Sequence, residues 1–215
     1  MDDGPPLSVL LVDDHALVRR GLRELLADEF PGAVFTEAGS GPEAVEKIRN
    51  TVFTLVVLDL SIPGRDGLDV LKEFHERLPK LPILMLSVYA EEQYALRALR
   101  AGAAGYITKE SAPEELSKAI RKVLSGGRYI SPSLAERLAT TLAGDTCRPL
   151  HESLSDRELQ VLRMVAGGES IKQIGVLLAL SEKTISTYRT RILEKMDMKT
   201  TANLIRYALR AGLVE

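Results

Sequence analysis

Five polar residues stand where short apolar runs of this 215-residue chain stop. Asp13 and Asp14 follow Ser8 to Val12, and Asp59 closes Leu55-Val56-Val57-Leu58. Ser87 follows Ile83 to Leu86, and Lys109 stands two residues after Ile107. Carboxylates, a hydroxyl and an ammonium are the groups that transfer of a phosphoryl group to a side chain needs. One carboxylate can take the group covalently as an aspartyl phosphate. An ammonium neutralises the incoming charge, and a hydroxyl donates to a phosphoryl oxygen. Three adjacent carboxylates repel one another unless a cation joins them. Mg2+ suits that task, because it takes oxygen ligands in an octahedron and usually keeps several waters. Taken singly, Asp13 or Asp14 would simply cap a helix, Ser87 would be a turn residue and Lys109 a solvated lysine. As a set they mark Asp59 as a phosphoryl acceptor.

Such a set needs a parallel sheet to hold it. The apolar run before Asp59 reads as a strand buried on both faces. An aspartate at the carboxyl end of that strand lies where open α/β sheets build their sites. Further strands are expected at 8–12, 34–38, 83–86 and 105–107, alternating with helices at 15–27, 43–49, 66–77, 92–100 and 111–125. That alternation predicts a sheet covered on both faces. The first helix is expected to bury Leu17, Val18, Leu22, Leu25 and Leu26. Ser111 and Glu114 are spaced as a capping box at the start of the last of these helices, and Gly126-Gly127 ends it. With strand order 2-1-3-4-5, strands one and three are neighbours and their carboxylates converge.

Ser131-Pro132 opens a short helix as an N-cap and first-turn pair. Leu134, Leu138 and Leu142 form its apolar stripe, and residues 143–152 hold Gly144, Pro149 and little periodicity. The expected division is 1–127, a linker at 128–152, and a second domain at 153–215. The single cysteine, Cys147, lies in the linker and excludes a disulfide framework or a cysteine zinc site.

The second domain reads as four short helices. Ser155-Asp156-Arg157-Glu158 is another capping box, Ser170 caps the next helix, and Ala179-Leu180 turns the chain into a helix running from Ser181 to about Met196. Short helices joined by a tight turn make a helix-turn-helix. In the third helix Ile185, Ile192 and Met196 share one side, while Lys183, Ser186, Thr187 and Thr190 share the other. Small polar side chains beside a basic residue suit a helix inserted in the major groove of double-stranded DNA. Arg189, Arg191, Lys195 and Lys199 add charge able to neutralise phosphates. A last helix, at about 201–211, carries Leu204, Ile205, Ala208 and Leu209.

The charge balance agrees with that division. From His151 onward there are 10 Lys/Arg against 8 Asp/Glu, a net of +2, which leaves 18 against 22, a net of −4, for the rest. A basic end on an acidic body favours nucleic acid as the partner of the end. No apolar stretch nears the roughly 20 residues of a membrane span. The first residues, Met1-Asp2-Asp3-Gly4, lack the features of a signal peptide, so a cytoplasmic location without membrane contact is expected.

Asp13-Asp14, Asp59, Ser87 and Lys109, with Pro63 and Gly67 after the acceptor, resemble the receiver domain of bacterial two-component response regulators. The flavodoxin-like order 2-1-3-4-5 is carried over from that fold. The resemblance implies that Asp59 takes its phosphoryl group from a histidine kinase. It implies Mg2+ held by Asp14, Asp59 and the backbone carbonyl of Ser61, with Asp13 acting through water. It also implies a switch pair, the Ser87 hydroxyl moving to the phosphoryl group while the Tyr106 ring turns inward. Glu110 departs from the pattern, standing where many receivers place proline after the lysine.

Leu154-Ser155-Asp156-Arg157-Glu158, Ile171-Lys172-Gln173-Ile174 and Ser181-Glu182-Lys183-Thr184-Ile185 resemble the LuxR-type DNA-binding domain. Together the halves resemble a NarL/FixJ-type response regulator. That implies base or phosphate contacts from Lys183, Thr184, Ser186, Thr187, Thr190, Arg189 and Arg191. It also implies a homodimer on two half-sites, joined through Leu204, Ile205, Ala208 and Leu209. Ser186 and Tyr188 depart from common residues of the family, so base preference does not carry over. Two rival readings are an Mg2+-dependent phosphatase and a dimeric transcription factor whose receiver works without phosphate. The first lacks a second aspartate two residues after Asp59, where Ser61 stands; the second leaves the acidic set, Ser87 and Lys109 without a task.

Overall fold

Runs of Val, Leu and Ile build five strands: β1 (Ser8–Val12), β2 (Val34–Ala38), β3 (Leu55–Asp59), β4 (Ile83–Ser87) and β5 (Gly105–Thr108). The computed structural model describes residues 6–63, 65–89, 91–142 and 149–214, without the side chains at 92, 93, 137, 138 and 140–142. Within it the chain divides into two units, Met1–Ala139 and Thr140–Glu215.

The first unit is a parallel sheet in the order β2-β1-β3-β4-β5. Every residue of β3 and β4 is buried. That burial explains why these strands are unbroken apolar runs instead of alternating ones. Val9, Leu11, Val57 and Leu86 pack with Leu22 and Leu26 of α1 (Ala16–Glu29) and Leu116 and Ile120 of α5 (Ala112–Leu124). On the opposite face α2 (Gly41–Asn50) and α3 (Gly67–Arg77) lie against β1 and β3, and α4 (Glu91–Arg100) lies beside β5. A fully buried Leu or Ile contributes about 1.5–3 kcal/mol. Register aligns the strand ends: Val12 pairs with Leu58, Asp59 with Leu86, and Ser87 with Thr108. Asp13, Asp59, Ser87 and Lys109 therefore emerge side by side.

Two expectations for this unit are corrected. Leu17 is 83% exposed. One turn on from it, helical spacing gives Arg20, Gly21 and Glu24, so Leu17 lies on the charged side of α1 while Leu22 and Leu26 face the core. Ser111 does not form a capping box. Its backbone is helical and it makes no side-chain cap; its amide donates instead to Thr108 Oγ1 at 3.2 Å. The cap has moved three residues back.

Beyond α5 the chain returns to the sheet edge. Tyr129 forms a parallel bridge with Gly105, its amide donating to the Ala104 carbonyl at 2.8 Å. A Cβ on Gly105 would stand 2.9 Å from the Tyr129 carbonyl oxygen, so only glycine admits this approach. α6 (Pro132–Leu142) follows, with the Ser131 hydroxyl accepting from the Leu134 amide at 3.1 Å. Leu134 is buried. The side chains of the expected stripe partners Leu138 and Leu142 are not described, and Cys147 lies outside the described residues.

The second unit holds a short 3-10 turn at Leu150–Ser153, then α7 (Asp156–Ala166), α8 (Ile171–Leu177), α9 (Glu182–Lys195) and α10 (Thr201–Arg210). Ser155 and Ser170 each complete a capping box, with Glu158 and Gln173 as partners. A Cβ on Gly175 would meet the Leu180 carbonyl oxygen at 2.8 Å, and Ala179 has φ of 52°. The turn joining α8 to α9 is that tight. Leu159, Leu162, Ile174, Ile185, Ile192, Leu204 and Ala208 form the buried set, while Val176 and Leu177 of α8 face outward.

Candidate functional site

At the carboxyl edge of the sheet Lys109 Nζ lies 2.6 Å from Asp13 Oδ2 and 2.9 Å from Asp59 Oδ2. Asp59 is 2% exposed and Asp13 1%. Asp59 Oδ1 accepts from the Ser61 amide at 3.2 Å. Burial pushes the Asp59 carboxyl up to about 6, the Lys109 ammonium working against this and the Asp13 charge with it. Burial also opposes the Lys109 charge, but the close contacts with Asp13 and Asp59 outweigh it and its pKa stands above the ordinary lysine value. The ammonium thus stays charged across the physiological range.

The turn after β3 is held by Gly67, whose amide donates to the Leu60 carbonyl at 3.0 Å. A Cβ there would stand 2.4 Å from the Asp59 carbonyl oxygen. Asp66 caps α3 through the Leu68 amide at 2.9 Å.

Asp14 is more exposed than Asp13 and faces His15, Nδ1 to Oδ1 2.7 Å. One ligand atom from each of Asp13, Asp14 and His15 can be chosen so that all lie within 4.8 Å of one another. Asp13 Oδ1 accepts from the His15 amide at 2.8 Å, while Oδ2 is buried and accepts no aligned hydrogen bond, the Lys109 contact being ionic. Arg19, which the sequence did not single out, donates to the Asp13 carbonyl at 2.7 Å and to Glu37 at 2.9 Å. It fixes the backbone that carries the acidic pair.

Ser87 is fully buried and its hydroxyl accepts from the Tyr89 amide at 3.1 Å. The Tyr106 ring is buried as well, its hydroxyl donating to the Tyr89 carbonyl at 2.9 Å. The ring therefore lies inward here. Tyr89, also unmarked in the sequence, stacks on Tyr94 with ring centroids 5.3 Å apart. No peptide among the described residues is cis, and Glu110 continues the loop after Lys109.

In the second unit Lys183, Thr187, Thr190 and Arg191 are exposed on α9, and Ser186 is half-buried. Thr187 donates to the Lys183 carbonyl at 2.9 Å and Thr190 to that of Ser186 at 3.1 Å. Three expected contacts shift. Thr184 Oγ1 is taken up at the helix start, 2.8 Å from Ser181 Oγ. Arg189 falls four residues after Ile185 on the inward side, with Nε buried and without a partner. Lys195 pairs with the buried Glu158 at 2.6 Å and is not free for a phosphate. On α10, Leu204 and Ala208 belong to the core against α7, so of the four residues expected to meet a second copy Ile205 and the 50%-exposed Leu209 are left accessible. The reason is helical spacing: residues 204 and 208 share the inward stripe.

A five-stranded parallel sheet of this order, with a lysine between two buried aspartates at its carboxyl edge, is the arrangement expected of a receiver, and the four helices with their tight turn that of a helix-turn-helix domain. Residues 9–121 match the response regulator receiver domain, and residues 152–208 match the bacterial regulatory proteins of the luxR family. The response regulator UvrY of Escherichia coli K12 is 38% identical over 208 residues, 96% of this chain and 95% of its own. The response regulator GacA of Pseudomonas syringae pv. syringae is 37% identical over 210 residues, 97% of this chain and 98% of its own. RcsB from Salmonella enterica serovar Typhimurium, in a structure bound to promoter rprA in the presence of the phosphomimetic BeF3-, superposes with a TM-score of 0.68. It is 25% identical and the match covers 94% of this chain and 98% of that one.

The chain belongs to the NarL/FixJ-type two-component response regulators, DNA-binding regulators of transcription. No helix among the described residues is long and apolar enough to cross a membrane.

Proposed function

We propose that Asp59 accepts a phosphoryl group from a histidine kinase and that the modified chain binds promoter DNA as a dimer. The observation that carries this reading is the Lys109 ammonium between Asp13 and Asp59, 2.6 and 2.9 Å away, at a buried strand edge beside Ser87. Attack by an Asp59 oxygen on phosphorus forms the acyl phosphate and releases the donor's leaving group. Lys109 stays charged beside the new oxygens, and the Ser87 hydroxyl moves to donate to one of them.

The donor set fits Mg2+. Asp13, Asp14, Asp59 and the Ser61 carbonyl offer only hard oxygen ligands, and the buried Asp13 Oδ2 accepts no aligned hydrogen bond. Asp14, Asp59 and the Ser61 carbonyl would hold the ion, with Asp13 acting through water. Bound there, Mg2+ would neutralise the carboxylates and polarise the phosphoryl oxygens.

On the DNA side we assign Ser186, Thr187 and Thr190 to base edges in the major groove, and Lys183 and Arg191 to the nearby phosphates. Arg189 and Thr184 act on the placement of α9. Ile205 and Leu209 are the residues of α10 left for a second copy on paired half-sites. The residue division is a receiver at 1–127, a linker at 128–152 and a DNA-binding domain at 153–215. That RcsB has been seen bound to promoter rprA in the presence of the phosphomimetic BeF3- supports DNA binding by the modified form.

The test is uptake of label from a small phosphoryl donor in Mg2+, together with affinity for DNA fragments selected by the protein itself. Wild type takes up label and binds more tightly with the donor, and Asp59→Asn does neither. Label retained on Asp59→Asn would remove Asp59 from the mechanism.

A further inference from the structure

We propose that Glu91 and the start of α6 form a latch through which the phosphorylation state of Asp59 governs the linker helix. The proposal rests on the phosphoacceptor role given to Asp59 above.

The latch follows from a run of contacts, each described by its atoms. Tyr89 is held at both backbone groups, its amide by Ser87 Oγ at 3.1 Å and its carbonyl by the Tyr106 hydroxyl at 2.9 Å. Two residues on, Glu91 Oε2 accepts from the Ser131 hydroxyl and, at 3.1 Å, from that of Ser133. Ser131 Oγ in turn accepts from the Leu134 amide at 3.1 Å as the N-cap of α6. The contacts that hold Tyr89 at the sheet edge and those that tie Glu91, the first residue of α4, to the first turn of α6 thus stand two residues apart in the chain. Bonds to a carboxylate are the stronger kind, and a negative charge at a helix N-terminus adds to them.

The neighbourhood leaves room for this contact to change. A cavity of about 560 Å³ is bounded by Val88, Glu91, Tyr106, Ser111, Ser131 and Ser133. A Ser87 hydroxyl drawn toward a phosphoryl group on Asp59 pulls on the Tyr89 amide, and Glu91 follows. The start of α6 either follows Glu91 or parts from it. Coupling of this kind is reciprocal, so a change in the latch also alters how the switch responds.

A plain capping role for Glu91 would give the same contacts without coupling, and substitutions separate the two. Ser131→Asp keeps an N-cap side chain but sets a carboxylate against Glu91. Glu91→Lys removes the acceptor and leaves the cap intact. The double variant restores the contact as an ion pair. The full chain is assayed in Mg2+ at fixed salt for label on Asp59 and for DNA affinity with and without a small phosphoryl donor.

The donor should tighten wild-type binding about tenfold or more, within the usual range of allosteric coupling. Each single variant should take up label yet lose most of that response, and the double variant should regain it. Single variants that respond like wild type, or a double variant that does not recover, overturn the latch. Single variants that take up no label also overturn it, since Glu91 or Ser131 would then act in phosphoryl uptake itself. If wild type takes up no label, the phosphoacceptor reading fails and the latch falls with it. If wild type takes up label and the single variants still respond, the latch alone fails.

Discussion

Lys195 at the end of α9 reaches Glu158 in the first turn of α7 at 2.6 Å, and Glu158 is buried while Lys195 is partly exposed. The carboxylate also accepts from the Ser155 amide at 2.7 Å, so one side chain closes a capping box and anchors α9. Burial works against the Glu158 charge, but the Lys195 and Ser155 bonds outweigh it and hold its pKa below the usual glutamate value.

Lys195→Met therefore removes a positioning contact and leaves a buried carboxylate without its cation. Unfolding of the second domain should come easier by roughly 2 kcal/mol, below the range for fully buried pairs because the lysine is half solvated. The dependence of DNA affinity on salt should keep its slope. A slope shallower by about one unit would return Lys195 to the phosphate contacts.

Lys183→Ala is the counterpart. Lys183 is exposed on α9, and its loss should make the slope of log affinity against log salt shallower by about one unit on any sequence, as for a phosphate contact. An unchanged slope with altered base preference would place it on a base edge instead.

Thr187 already spends its hydroxyl hydrogen on the Lys183 carbonyl, so it offers the groove lone pairs and a methyl group. Such a side chain accepts from the amino group of adenine or cytosine, or touches the thymine methyl. Thr187→Val should cost about 1–3 kcal/mol on selected sites if the lone pair is read, with little change on unrelated DNA. Equal loss on both would count against base reading.

The Asp59 carboxyl, at about 6 against an ordinary 3.8, binds its proton more tightly in the folded chain than in the unfolded one. With a chelator present, stability should fall as pH rises from about 4 to about 6. Asp59→Asn should remove that slope and stabilise the receiver at neutral pH by roughly 1–3 kcal/mol. Unfolding by urea across the pH range measures both; a variant less stable than wild type at neutral pH contradicts the burial argument.

Gly67 faces the backbone of Asp59, where a Cβ would stand 2.4 Å from the Asp59 carbonyl oxygen and 2.7 Å from Leu60 Cα. Backbone must shift to admit Gly67→Ala. We expect a loss of about 3 kcal/mol in receiver stability. Phosphoryl uptake should slow about tenfold or more, because the reacting carboxylate moves with its strand. Wild-type rates in the variant would show that the turn yields without moving Asp59.

Strands and their polar ends were legible because burial on both faces leaves an uninterrupted apolar run that stops where the sheet stops. Asp13, Asp59, Ser87 and Lys109 were readable for that reason. Contacts between elements were not. Arg19 to Asp13, Tyr106 to Tyr89 and Glu158 to Lys195 join residues whose partners no local spacing reveals. Helix faces were readable only where the stripe was unambiguous. Ile185 and Ile192 followed it, whereas Leu17 among charged residues and Leu204 on a helix assigned to a partner did not. Ser111 had the right spacing for a cap, but Thr108 stood close enough to take its amide.

The pairing of Tyr129 with Gly105 bears on behaviour at high concentration. β5 ends the sheet, and an uncovered strand is a template on which another chain can add by backbone pairing. The returning segment occupies part of that template with the protein's own backbone. Chains crowded together are thereby discouraged from growing sheet to sheet along this border, and association is left to side chains.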